Sequence, residues 1–144
     1  MARPTVRNFG RNLSFTPQAS FAPRSEDELL DILRLHAGSR IKAVGSLHSW
    51  SPAATTDGIL IDLRHMSAVH AHRDDARNDH HVRVGAGCTI AHLLSEMRSQ
   101  ANLTLPSLGL IKAQTVAGAT ATGTHGSGKH SMSHYVRAAR VAVY

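Results

Sequence analysis

The chain has 144 residues, 42% of them hydrophobic and 18% charged, which fits a globular domain with a core and excludes a disordered segment. A net charge of +6 would suit an anionic partner, but the basic residues are scattered and aromatic residues make up only 4%, which argues against a nucleic-acid surface. One cysteine, Cys88, rules out an internal disulfide framework and argues against a cysteine-based zinc cluster. No signal-peptide pattern is present, and no apolar run approaches the roughly 20 residues that span a bilayer. A soluble protein is expected, with the cytoplasm as the default compartment.

Residues 1–22 mix Pro, Asn and aromatic residues and read as an arm laid over the domain that follows, residues 23–144. Ser25-Glu26-Asp27-Glu28 fits a capping box, and Leu29, Ile32, Leu33 and His36 recur at helical spacing before Gly38. A helix over about residues 26–36 is predicted. Ile41–Val44 reads as a strand, Asp57-Gly58 as a turn, and Ile59–Leu63 as a second strand. Residues 70–81 are polar and charged and read as a loop, followed by a strand at Val82-Arg83-Val84 and a helix over about 90–99 with Ile90, Leu93, Leu94 and Met97 on one face. Val136–Tyr144 reads as a last strand. A β-rich segment with no turn, cap or polar tail after it suggests a fragment, and the mixed order favours α+β over a regular doubly wound sheet.

Two segments are rich in small residues. Val44-Gly45-Ser46-Leu47-His48-Ser49-Trp50 places a glycine directly after a strand, where successive backbone N–H groups can turn toward an anion, with His48 inside the loop. A turn with an incidental histidine remains the alternative. From Gln114 to Gly128 only Gln114 and His125 carry long side chains, so backbone can approach a pyrophosphate or a flat ring closely and Thr and Ser hydroxyls can donate. A flexible linker is disfavoured by the interleaved Ala, Val and Thr. Gly123–Lys129 matches a P-loop as far as the lysine, but His130 stands where a hydroxyl should bind magnesium. No G-x-G-x-x-G fingerprint sits between a strand and a helix.

Together these segments resemble the vanillyl-alcohol oxidase superfamily and, within it, the sugar-lactone (gulonolactone, arabinonolactone) and alditol oxidase branch. The resemblance lies in Asn8-Phe9-Gly10-Arg11-Asn12, the helix after Pro23, Val44–Ser49 and Gly109–Gly128, with the run from Val116 to Gly128 the most specific part. It implies the N-terminal portion of an α+β FAD-binding domain of the p-cresol methylhydroxylase type, two lobes with FAD between them, lacking the rest of the second lobe and the C-terminal substrate cap. By the same resemblance His48 bonds covalently to the flavin 8α carbon. Val44, Gly45, Ser46, Leu47 and Ser49 would line the diphosphate turn, and Thr115, Gly118, Thr122, Gly123, Thr124 and His125 would continue the cradle. Leu110 stands where related oxidases carry a small residue near the flavin ring, which leaves oxidase and dehydrogenase behaviour both open. The flavin would perform the hydride chemistry and the protein would position it.

The implied activity is oxidation of a sugar lactone or polyol CH–OH, with molecular oxygen as acceptor and hydrogen peroxide as product, in the complete protein and not in this fragment. No catalytic acid or base is assigned. A truncated, non-catalytic nucleotide-binding module and a P-loop phosphotransferase are the rivals. Among 11 histidines, His70, His72, His80 and His81 lie near Asp74, Asp75 and Asp79, but as a solvated loop they are assigned no metal. Cys88 is read as a small buried residue, Phe9 and Trp50 as packing residues, and Asp62 as hydrogen-bonded to a neighbouring turn.

Overall fold

A computed structural model describes residues 3–128 and 130–143. The chain divides into two compact units, one running to Met66 and taken up again at Arg140, the other Ser67–Ala139. In the first unit β1 (Val6–Arg7) and β2 (Ser14–Phe15) form a short antiparallel hairpin, with Val6 opposite Phe15. There follow β3 (Ala19–Phe21), α1 (Glu26–Leu35), β4 (Ile41–Val44), a 3-10 turn at Pro52–Ala54, and β5 (Ile59–Asp62). The last three strands make a wholly parallel sheet in the order β3-β5-β4.

The central strand β5 explains that order. Ile59, Leu60 and Ile61 are all buried, the unbroken apolar run expected of a strand covered on both faces. Helix α1 starts where Ser25 accepts a hydrogen bond from the Glu28 N–H (3.1 Å) and Glu28 accepts one from Arg24 (2.7 Å). It lays Leu29, Ile32 and Leu33, spaced by a helical turn, against Ile59 and Ile61. The helix ends at Leu35, with His36 as its C-cap, before Gly38 is reached.

In the second unit the structure corrects the expected loop at 70–81. Residues Val69–Asp74 (β6) and Asp79–Val84 (β7) form a regular antiparallel hairpin around a tight turn in which Asn78 takes a positive φ of 50°. Val69, Val82 and Val84 face inward, while His70, His72, His81 and Arg83 are exposed. Helix α2 (Ile90–Ala101), two residues longer than predicted, packs Leu93 and Met97 on that inner face with Cys88. It is capped by Thr89 at the start and by Asn102 in the left-handed region (φ 53°) at the end. A third helix, α3 (Val116–Ala121), lies inside the expected loop, and a 3-10 turn follows at Met132–Tyr135. The predicted last strand is absent from Val136 to Val143, and Tyr144 lies outside the described residues. No helix among the described residues is long and apolar enough to cross a membrane.

Two predictions follow from the packing. Ile61→Ala opens a cavity under α1 and is expected to cost about 2–5 kcal/mol, read as a lower urea midpoint at unchanged slope. Cys88 is fully buried and burial pushes its thiol above the ordinary value, so a thiol-reactive dye should label it in urea and leave the native chain unlabelled over the same interval.

Candidate functional site

In the first unit the carboxyl ends of β4 and β5 lie level, with Val44 paired to Asp62. Ligands of open parallel sheets gather beyond such ends, and here the chain leaves β4 into Gly45-Ser46-Leu47-His48-Ser49. Leu47 adopts φ 56°, a left-handed conformation that a branched residue holds only when its surroundings enforce it. The enforcement comes from the hairpin formed by β1 and β2. The Phe9 N–H donates to the Leu47 carbonyl at 2.8 Å. Asn8, buried, donates from its amide to the Ser49 carbonyl (2.9 Å) and to the Asn12 side chain (2.7 Å), and accepts from the Leu13 N–H (3.0 Å). Asn12 in turn donates to the Trp50 carbonyl at 3.2 Å. A Cβ on Gly10 would stand 2.5 Å from the exposed Trp50 ring, which would have to move aside to admit it.

His48 is held between these contacts. Its ring stacks on Phe9 with centroids 4.3 Å apart and planes inclined by 15°. Its Nδ1 is buried and has no hydrogen-bond partner, so the lone pair or proton there is committed to no protein group. The Ser49 hydroxyl donates to the Ser51 carbonyl (3.1 Å) and accepts from the Ser51 N–H (3.3 Å). Asp62 accepts from the Arg64 N–H (2.9 Å) and pairs with its guanidinium, which raises the Arg64 pKa; it serves the following turn, as expected of it.

In the second unit the small-residue segment is partly a helix. Thr115 caps α3 by accepting from the Gly118 N–H at 3.3 Å, while the Thr122 hydroxyl donates to the Gly118 carbonyl (2.9 Å) and Thr120 to Val116 (2.9 Å). Thr115, Gly118 and Thr122 are thus engaged with one another. Gly123 follows at φ 66°, with nothing within 4 Å of where a Cβ would stand, so its surface is open to a close approach. The chain then runs beside residues 107–109. A Cβ on Gly126 would meet the Leu108 carbonyl at 2.1 Å, and one on Gly109 would meet the Thr124 methyl at 2.7 Å. His125 is exposed, and its Nδ1 lies 2.9 Å from the Gly126 carbonyl; a carbonyl only accepts, so Nδ1 carries the proton and Nε2 is the free acceptor. Leu110 is 95% exposed. The Gly123–Lys129 match to a P-loop follows a helix instead of a strand, and Lys129 lies outside the described residues.

These features suit FAD: a partnerless buried imidazole nitrogen in one loop, and in the other an open glycine backbone beside hydroxyl-bearing residues. The chain belongs to the FAD-binding domain family, whose pattern it matches over residues 17–143. It is 52% identical over 139 residues to a long-chain alcohol oxidase of an uncultured marine euryarchaeote, covering 96% of this chain and 28% of that protein. An L-gulono-1,4-lactone dehydrogenase of Mycobacterium tuberculosis is 38% identical over 114 residues, covering 78% of this chain and 26% of that protein. A D-arabinono-1,4-lactone oxidase of Kluyveromyces lactis and an alditol oxidase of Streptomyces sp. match as well, at 36% and 34% identity. Among solved structures, cholesterol oxidase from B. sterolicum superposes with a TM-score of 0.71 over 88% of this chain and 24% of that one; at 18% identity it shares the fold. The chain spans about a quarter of the length of these relatives.

The sequence pointed to Asn8–Asn12 as a motif but not to its task, because a hydrogen-bonded hairpin tip has no periodicity to read. Asn8→Ala leaves the Ser49 carbonyl and the Leu13 N–H without partners and should cost about 1–3 kcal/mol, with faster hydrogen exchange at the Leu13 amide.

Proposed function

We propose that this chain is the FAD-gripping part of an oxidoreductase acting on a CH–OH group, and that the flavin is tethered through His48. The observation that carries the tether is the buried, unpartnered Nδ1 of His48 in a loop fixed from three sides. In this reading His48 would hold the flavin through its ring nitrogen, and the tethered flavin would supply the two-electron chemistry. Val44, Gly45, Ser46, Leu47 and Ser49 supply the turn at the diphosphate, and Thr115, Gly118, Thr122, Gly123, Thr124 and His125 supply the small-residue wall, with Leu110 beside the flavin ring. In this reading residues 1–22 act as an arm and residues 23–144 as the FAD-binding portion; the grip of Asn8 and Phe9 on the His48 loop supports an arm with that task.

When bound, FAD supplies the two-electron acceptor, and the chain contributes binding and orientation. The substrate belongs to the whole protein: a sugar lactone or polyol, with molecular oxygen taking the electrons to give hydrogen peroxide. A long-chain alcohol is the second reading, favoured by the 52% identity to a long-chain alcohol oxidase against 38% to the lactone dehydrogenase. Anaerobic flavin reduction by aldonolactones, alditols and long-chain alcohols, in a protein of the relatives' length, separates the two.

The tether has its own test. On a denaturing gel viewed under ultraviolet light after acid treatment, the wild-type band is expected to fluoresce and the His48→Ala band to be dark. A dark wild-type band in a chain extended to the relatives' length, with flavin still bound before denaturation, would overturn the assignment to a covalent link.

A further inference from the structure

The hairpin of β6 and β7 does what the sequence alone did not show: it lines up histidines that are nine positions apart. In its register His72 stands directly opposite His81, and Asp74 opposite Asp79. Side chains two apart on a strand share a face, so His72, Asp79 and His81 all project from the outer face while Val69, Val82 and Val84 fill the core. The His72 and His81 rings lie 4.7 Å apart, and Asp79 Oδ2 lies 3.5 Å from His81 Nδ1. One ligand atom from each of the three residues falls within 4.8 Å of the other two.

We propose that His72, His81 and Asp79 form a surface site for a divalent transition ion of the zinc type. Two imidazoles and one carboxylate are a donor set that suits Zn2+, Ni2+ or Cu2+ and not Mg2+ or Ca2+, which take oxygen ligands. Metal–ligand bonds of about 2.0–2.2 Å require the donors to close in further. His72 and His81 are exposed, so small rotamer changes accomplish this without disturbing the ladder. Positions left over go to water. The ladder itself holds the two histidines in place, since a shift of one residue would turn Val82 and Val84 outward.

The charge pattern points the same way. Asp74 and Asp79, face to face, are like charges that repel across the ladder. Arg77 lies 3.7 Å from Asp74 and Arg137 lies 2.6 Å from Asp79, the cations that now balance this acidic pair. Arg137 also competes with a metal for the Asp79 carboxylate.

The test is titration of the full chain with zinc chloride by calorimetry, with circular dichroism as a check on folding. One tight equivalent is expected in the wild type. Loss of a partner behind a ligand costs about 10–100-fold, so His72→Ala, His81→Ala and Asp79→Asn should each weaken zinc by at least about tenfold. Arg137→Gln should tighten it, and His65→Ala with His92→Ala, both exposed elsewhere, should leave it unchanged. Magnesium in excess should not displace zinc. Zinc binding undiminished in the His72→Ala/His81→Ala double variant, or lost equally in the His65→Ala/His92→Ala control, would overturn the site. No flavin enters this experiment, so its outcome is independent of the tether.

Discussion

Leu47 sits at φ 56°, and the chain keeps it there by giving its carbonyl the Phe9 N–H at 2.8 Å. A left-handed leucine costs of order 1–3 kcal/mol. That cost is offset by a hairpin tip whose buried asparagine ties the same loop at Ser49 and whose Phe9 ring covers His48. The direction in which His48 points is therefore decided some forty residues upstream of it, at Asn8-Phe9-Gly10. Glycine at position 10 lets the exposed Trp50 ring lie over the hairpin tip, a place a side chain there would take from it.

The second unit solves a different problem with the same economy of volume. Two stretches of backbone lie side by side at 107–109 and 124–128, close enough that Gly126 has no room for a Cβ. Ala119 is buried against Ile90 and Met132, and the threonines of α3 turn their hydroxyls back onto the helix's own carbonyls or its capped N–H. Small residues here serve packing first. Gly123, in the left-handed region, instead faces open space.

Much of this was legible in the sequence where a single face is apolar. Ser25 and Glu28 announced α1, the run Ile59–Leu63 announced a strand, and Leu93 with Met97 announced α2. The hairpin was missed because its inward residues, Val69, Val82 and Val84, are outnumbered by histidines and aspartates that project outward. The reverse error occurred at Val136–Val143, where a valine- and alanine-rich stretch reads as a strand but finds no ladder partner among the described residues, and backbone groups without partners do not make a strand. Helix α3 escaped because Val-Ala-Gly-Ala-Thr-Ala is only six residues long and shows no amphipathic period, although Thr115 caps its start. The family was readable from residue types in order. The clamp was not, since it depends on hydrogen bonds between residues about forty positions apart.

The side chain of Gln100, on the last turn of α2, reaches the outer edge of β6, where it accepts the Ala71 N–H at 2.8 Å and donates to the Val69 carbonyl at 3.1 Å. An open strand edge is a template on which another chain can add itself, and proteins that leave one bare tend to stick together. By occupying one donor and one acceptor with an amide that mimics a peptide group, Gln100 acts as a one-residue dummy strand. It turns that stretch of the hairpin from a place where aggregates could begin growing into a finished border.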